Sequence, residues 1–337
     1  MTTTTRTTRT TRTTSAATLL VAAALVTSCS GQEPGAFAPR SDDARAVDTV
    51  FWVMVALGAA VFAAVIVLLV LARRGRGDDD DQPTLDRRAR RLVIGGGVIL
   101  PVVILVPLTV VMLVVGARIS PSRDAAFEVE VTGHQYWWEV EYPDGTVTAN
   151  EIHIPVGRPV RLVLRSADVI HSFWVPQLAG KVDMIPGETT ELLIEADDPG
   201  RYLGQCAEFC GIQHARMRVL VFADRPDDFD AWWAAEAADA TPPTSEESER
   251  GAIAFAEVGC ASCHAVRGTD ADGELGPDLT HIASRTTLGA GTVDNDRGHL
   301  AGWIANAQGV KPGAHMPPIP LTAQQIQDLL DYLEDLR

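Results

Sequence analysis

Two uninterrupted apolar runs, residues 49–72 and 92–117, contain no charged side chain. Each exceeds the roughly 20 residues that a helix needs to cross the hydrocarbon layer. They predict two spans forming a transmembrane hairpin over 45–118. The segment between them, RRGRGDDDDQPTLDRRARR, carries seven arginines. Acidic residues weigh little in the bias that orients spans, so this loop is expected on the cytoplasmic side and everything after Arg118 outside. Ahead of the hairpin, a basic, acid-free leader precedes a short apolar stretch at 16–26. Val26-Thr27-Ser28-Cys29 fits a lipoprotein signal-peptidase site, predicting a signal peptide over 1–28 and a lipid on Cys29.

From residue 125 to 223 the pattern changes to short alternating runs (FEVEV, EIHIPVGRPVRLVLRS, ELLIEADDPG, MRVLVF) broken by turn signals such as PDG. Period-two alternation of this kind predicts a β-sandwich over 123–225. A short helix is expected at 227–238, and a polar, proline-bearing linker follows within 226–245. From residue 246 the spacing becomes helical in ESERGAIAFAEV, HLAGWIANAQ and LTAQQIQDLLDYLEDL, predicting a small all-α unit over 246–337.

The composition of 337 residues, 46% of them apolar, allows several packed domains. The formal net charge is −16, and the 246–337 unit has six basic residues against fourteen acidic ones. Such a surface favours a basic partner and repels polyanions, so nucleic acid is not an expected partner. The five cysteines are Cys29, Cys206, Cys210, Cys260 and Cys263. Each sits in a recognisable setting, which points to metal and cofactor chemistry rather than disulfides.

The stretch CAEFCGIQHARM, 206–217, lies between a strand pattern and the strand at 218–222, so it is a loop at one end of the sandwich. Cys-x3-Cys with a histidine is compatible with half of a zinc site. Zinc leaves Met217 unexplained, whereas a thioether and two thiolates suit copper. HSFWVP, 35 residues upstream of Cys206, offers a second imidazole in His171.

His171 together with Cys206-x-Glu208-x-Cys210-x3-His214-x2-Met217, behind a two-helix hairpin, resembles subunit II of the haem–copper cytochrome c oxidases across about 45–225. The resemblance implies a cupredoxin-like domain holding the dinuclear CuA centre. The sulfurs of Cys206 and Cys210 would bridge both coppers, His171 and His214 would each bind one, and Met217 and the Glu208 carbonyl would be weak axial ligands. The Glu208 carboxylate resembles the family's interfacial magnesium ligand. GHQYWWEVEY (133–142) and KVDMIPG (181–187) are further family marks. Tyr136, beside Trp137 and Trp138 in the family's electron-transfer patch, stands where many members carry the surface tryptophan that receives an electron from soluble cytochrome c. Ile94 stands where many have a glutamate at a proton channel.

Cys260-Ala-Ser-Cys263-His264 is the attachment motif of c-type haem, with two thiols that add to vinyl groups and a histidine for the iron. With GPDL at 276–279 and HMPPIP at 315–320, the unit resembles a class I cytochrome c. That implies His264 and Met316 as axial ligands and the Pro277 carbonyl as the histidine's acceptor. His315 neighbours Met316, and the following proline favours the methionine.

The resemblance implies an electron-input subunit of a respiratory terminal oxidase. Electrons would pass from cytochrome c or a quinol–cytochrome c reductase complex through covalent haem c and CuA to a separate catalytic subunit I, with subunit III alongside. Neither span carries a histidine, so no oxygen-reducing site is expected in this chain. The expected location is the bacterial cell membrane, multi-pass, with both redox domains outside. An equivalent subunit of a nitric oxide reductase and a membrane-tethered carrier without an oxidase are the rival readings. The linker is expected to act as a tether that holds the haem near CuA at up to millimolar effective concentration.

Overall fold

A computed structural model describes residues 35–74, 82–119 and 123–337. The signal peptide and Cys29 lie outside the described residues, as does part of the loop between the apolar runs.

The first run falls within helix α1 (Asp42–Arg74). Ser41 caps it, accepting from Ala44 N at 3.0 Å and donating to Leu178 O at 2.5 Å. That second bond, with ion pairs Arg45–Asp197 and Arg123–Asp43, ties the outer end of α1 and the chain after the second run to the sandwich. The second run takes in the end of α2 (Gln82–Ile94), a π-helical turn at Gly95–Ile99, and nearly all of α3 (Leu100–Arg118). The turn has a local cause. Pro101 has no N–H to give the preceding turn, its ring crowds that turn's carbonyls, and Gly95, Gly96 and Gly97 let the backbone widen until Leu100 N bonds Gly95 O. Most apolar side chains described in the two runs are exposed to the surroundings, as lipid-facing spans require.

The sandwich is built from β1 (Glu128–His134), β2 (Trp137–Glu141), β3 (Val147–Ala149), β4 (Glu151–Pro155), β5 (Val160–Ser166), β6 (His171–Trp174), β7 (Val182–Met184), β8 (Thr190–Ile194), β9 (Gly200–Cys206) and β10 (Arg218–Asp224). One sheet has the order β3-β2-β1-β5-β8 and the other β4-β10-β9-β6-β7. Pairing is mixed: β1 runs parallel to β5, and β4 to β10. The alternation seen in sequence is the reason for the register. Val129 and Val131 of β1 and Leu162 and Leu164 of β5 point into the core, and Glu128 and Glu130 stay on the outer face. The result is the expected cupredoxin-like sandwich. Helix α4 (Pro226–Glu236) covers one end, with Phe229 buried and Trp232 stacked on His153 at 4.0 Å.

The C-terminal unit packs α5 (Glu246–Glu257), α6 (Arg297–Val310) and α7 (Ala323–Asp335) around Phe255, Leu329, Leu330, Tyr332 and Leu333. Side chains of this size contribute about 1.5–3 kcal/mol each on full burial. Ser245 caps α5, and a reciprocal Thr322–Gln325 box starts α7. Gly251 sets the crossing of α5 and α7, because a Cβ there would lie 1.9 Å from Asp328 O.

The linker is not the free tether expected from sequence. Ala240 N bonds Arg267 O at 3.0 Å, His281 Nε2 meets Ala238 O at 3.0 Å, and Thr244 N bonds Asp335 at 3.0 Å. Its backbone groups are satisfied by the haem-motif unit itself, which in turn rests directly on the sandwich.

Candidate metal centre and haem site

Strands β6 and β9 pair antiparallel, with Phe173 opposite Cys206, and this brings His171 beside the start of the copper-type loop. Cys206 N bonds Met217 O at 2.8 Å and Ala207 N bonds Ser172 O at 2.9 Å, closing both ends of the loop on rigid strands. Gly204 permits this closeness, since a Cβ there would meet Val219, Val175 and the Trp174 carbonyl at 2.6–2.7 Å. Gly211, at φ +130°, turns the loop where a Cβ would strike the Tyr136 hydroxyl at 2.4 Å.

The two sulfurs are 3.8 Å apart. That is too far for a disulfide bond of about 2.05 Å. It lies within the limit for two sulfurs sharing a metal, which is twice a thiolate bond of about 2.3 Å. Each sulfur has its own flanking pair. Cys206 Sγ lies 3.9 Å from His171 Nδ1 and 3.2 Å from Glu208 O. Cys210 Sγ lies 3.8 Å from His214 Nδ1 and 3.8 Å from Met217 Sδ. The arrangement is two matched half-sites, each with one imidazole and one weak donor, around a shared pair of sulfurs. Ligand atoms of His171, Cys206 and Cys210 all fall within 4.8 Å of one another.

The electrostatics suit a cation. Cys206 is held far below the usual thiol range, first by the hydrogen bond from Cys210 and then, against burial, by His171 and backbone donors. The same bond, with burial, pushes Cys210 up. Burial disfavours charge on His171, but its bonds to Cys206 and Asp168 outweigh that and raise it.

Asp168, which sequence reasoning missed, accepts from His171 Nε2 at 2.7 Å through Oδ1 and from Gln135 N at 2.6 Å through Oδ2. Fixing Nε2 leaves Nδ1 directed at the sulfurs, the usual role of a carboxylate behind a ligating histidine. Gly133 lies against the same ring, 3.0 Å from Cδ2 where a Cβ would be, and Gln135 Nε2 donates to Cys210 O at 2.6 Å. An Asp three residues ahead of a candidate ligand is the signal that could have found it. The Glu208 carboxylate turns outward, half exposed, 3.7 Å from Lys181.

Of the aromatic patch, Trp138 is fully buried, 6.0 Å from the His171 ring and perpendicular to Phe173. Trp137 stacks on His134 at 4.4 Å. Tyr136 does not stand on an open surface as expected from sequence. It is 8% exposed, packed in the sandwich core with its hydroxyl accepting from Ile212 N at 3.2 Å, and its remaining face looks onto His315 of the C-terminal unit across 6.5 Å.

In that unit α5 ends at a left-handed Gly259, and a short turn, Cys260–Ser262, presents Cys260 and Cys263. Both thiols are free and partly accessible, as addition to a porphyrin requires. His264 Nδ1 donates to Pro277 O at 2.7 Å, leaving Nε2 for a metal, and burial pushes the imidazole down, so it stays neutral. Gly276 lies flat on this ring, where a Cβ would come within 2.6 Å of Cε1. Met316 is anchored by its backbone, whose carbonyl accepts from Gln308 Nε2 at 3.0 Å.

A family described as "Cytochrome C oxidase subunit II, periplasmic domain" matches residues 145–223, and one described as "Cytochrome c" matches residues 248–337. The chain carries a cytochrome c oxidase subunit II periplasmic domain followed by a cytochrome c domain. Cytochrome c oxidase subunit 2 of Alkalihalophilus pseudofirmus is 38% identical over 216 residues, 64% of this chain and 62% of that protein. The subunit 2 of Bacillus sp. PS3 is 34% identical over 225 residues, 62% of each chain, and that of Thermostichus vulcanus 47% over 115 residues, 34% of this chain and 35% of that protein. The chain thus spans about 62% of the length of the first two relatives. The solved periplasmic domain of subunit II from Bradyrhizobium japonicum is 30% identical, covers 34% of this chain and 95% of that one, and gives a TM-score of 0.33. The paired cysteines Cys206 and Cys210 thus lie in the subunit II domain and the CASCH motif in the cytochrome c domain.

Proposed function

We propose that this chain is the electron-input subunit of a respiratory cytochrome c oxidase. The observation that carries the reading is the pair of matched half-sites around Cys206 and Cys210, a donor set for two metals rather than one. His171, Cys206, Cys210, His214, Met217 and the Glu208 carbonyl would hold the dinuclear copper. Cys260 and Cys263 would hold haem c covalently, with His264 and Met316 on its iron. The two groups would supply one-electron chemistry, taking electrons from a cytochrome c or quinol–cytochrome c reductase donor and delivering them to a catalytic subunit that reduces oxygen to water.

The chain's own residues supply positioning. Asp168 holds the His171 ring, the β6–β9 pairing holds the first ligand against the loop, and the Pro277 carbonyl holds His264. Because these groups are fixed before any charge change, little has to reorganise when an electron arrives or leaves. The outward Glu208 carboxylate is available to magnesium at the contact with subunit I. The two spans anchor the unit in a bacterial membrane beside subunits I and III, with both redox domains outside.

Purification of the full chain with its companions in mild detergent tests this. The expected result is a complex that consumes oxygen when a cytochrome c donor is reduced. A complex that reduces nitric oxide instead, or a chain that comes away alone with its cofactors, overturns it.

A further inference from the structure

Lys311 follows α6 in the cytochrome c domain and is 2% exposed. Its ammonium donates to three backbone carbonyls: Tyr136 O at 2.8 Å, Arg216 O at 2.8 Å and Gly289 O at 2.7 Å. The first two belong to the subunit II domain, one in the β1–β2 connection and one in the copper-type loop itself. The converse contact stands nearby. Glu151 of β4, 5% exposed, accepts from Thr286 N at 2.8 Å, Thr286 Oγ1 at 2.6 Å and Thr287 N at 3.2 Å, all in the cytochrome c domain. Each domain thus sinks one charge into the backbone dipoles of the other.

Around the two charges, Arg216 Nη1 also donates to Val310 O at 3.1 Å, and the other contacts are neutral. Gln213 Nε2 donates to Pro312 O at 2.7 Å, Arg218 N to Ala290 O at 3.1 Å, and Gly313 lies against Ile212, with no room for a Cβ. Burial pushes Lys311 down to about 7. Geometry nevertheless favours the ammonium, since a neutral amine has only two N–H groups for three carbonyls.

We propose that Lys311 and Glu151 lock the cytochrome c domain onto the copper-type loop as a permanent contact, closing the surface above Tyr136 to any external protein. A contact steered by surface charge weakens as salt rises. This one has its charges buried against neutral dipoles, so it is insensitive to salt. On the functional reading above, an external protein donor must therefore bind the cytochrome c domain on a face away from Tyr136, and Lys311 is a positioning residue for the pair of redox sites.

Hydrogen exchange followed by mass spectrometry on the full-length, cofactor-loaded chain tests this at amides bonded across the interface, Thr286, Thr287 and Arg218. In the wild type they should exchange equally slowly at about 20 mM and about 500 mM salt. Lys311→Met and, independently, the milder Glu151→Gln should speed them at least about tenfold, with Leu329 and Leu330 of α7 unchanged as a check on folding. Wild-type amides that lose protection at high salt, or that keep it in Glu151→Gln and in a Lys311→Met chain whose α7 is intact, overturn the lock. The readout is independent of oxygen consumption, so failure of the lock and failure of the oxidase reading are separate results.

Discussion

The two candidate redox sites are built in opposite ways. In the subunit II domain the donor atoms already lie together: four groups from one loop and one strand converge on two sulfurs, with His171 held by Asp168 and the start of the loop by strand pairing. In the cytochrome c domain Cys260, Cys263 and His264 sit on one short turn, and Met316 arrives from a segment more than fifty residues later, positioned through Gln308. Small ions are gathered by a scaffold that defines their positions in advance. A large planar group is surrounded by elements that need not meet one another. The copper-type site should therefore be more sensitive to the residues behind its ligands, and the haem site to its covalent bonds.

Breaking the shared sulfurs gives the largest effect. Cys206→Ser removes a ligand common to both half-sites, so copper content should fall from two per chain to one or none and electron transfer to the oxidase should stop; elemental analysis and oxygen uptake check this. Next, Cys263→Ser should weaken or abolish haem retention on a denaturing gel while leaving copper content unchanged, because one of two thioether bonds is lost. Asp168→Asn tests the scaffold directly: the ligands remain, but the His171 ring loses its acceptor's charge. Loss of such a partner typically costs about 10–100-fold in metal affinity, measurable by competition with a chelator. The smallest change is expected from Met316→Ala, which should remove the weak far-red band of a methionine-ligated ferric haem and leave the haem attached. If Asp168→Asn is silent, the contrast between a preformed and a wrapped site is wrong.

Much of this was legible in the sequence where the determinants are local. The apolar runs gave the spans, alternation gave the sandwich, and CAEFCGIQHARM and CASCH concentrated their ligands within a few residues. His171 was reachable because the loop offers two thiolates but only one imidazole, and HSFWVP upstream supplies a second. What stayed hidden depends on contacts between distant segments. Nothing local marks Lys311 or Glu151, because a charged residue's burial is set by whatever packs over it. The same contact explains the misreading of Tyr136, an aromatic residue whose remaining face the neighbouring domain encloses, whereas the linker, whose polar composition suggested a free tether, is held by distant residues of the cytochrome c domain, Arg267, His281 and Asp335. The π-helical turn was written in Gly95, Gly96, Gly97 and Pro101, a local signal that the hydropathy of the span overshadowed.

Metal content and spectrum of the full-length chain test the central claim most directly. The account predicts two coppers and one covalently bound haem iron per chain, with a mixed-valence copper spectrum in which one unpaired electron is shared equally by two nuclei. A single tightly held zinc, or one copper with a spectrum confined to one nucleus, would contradict it.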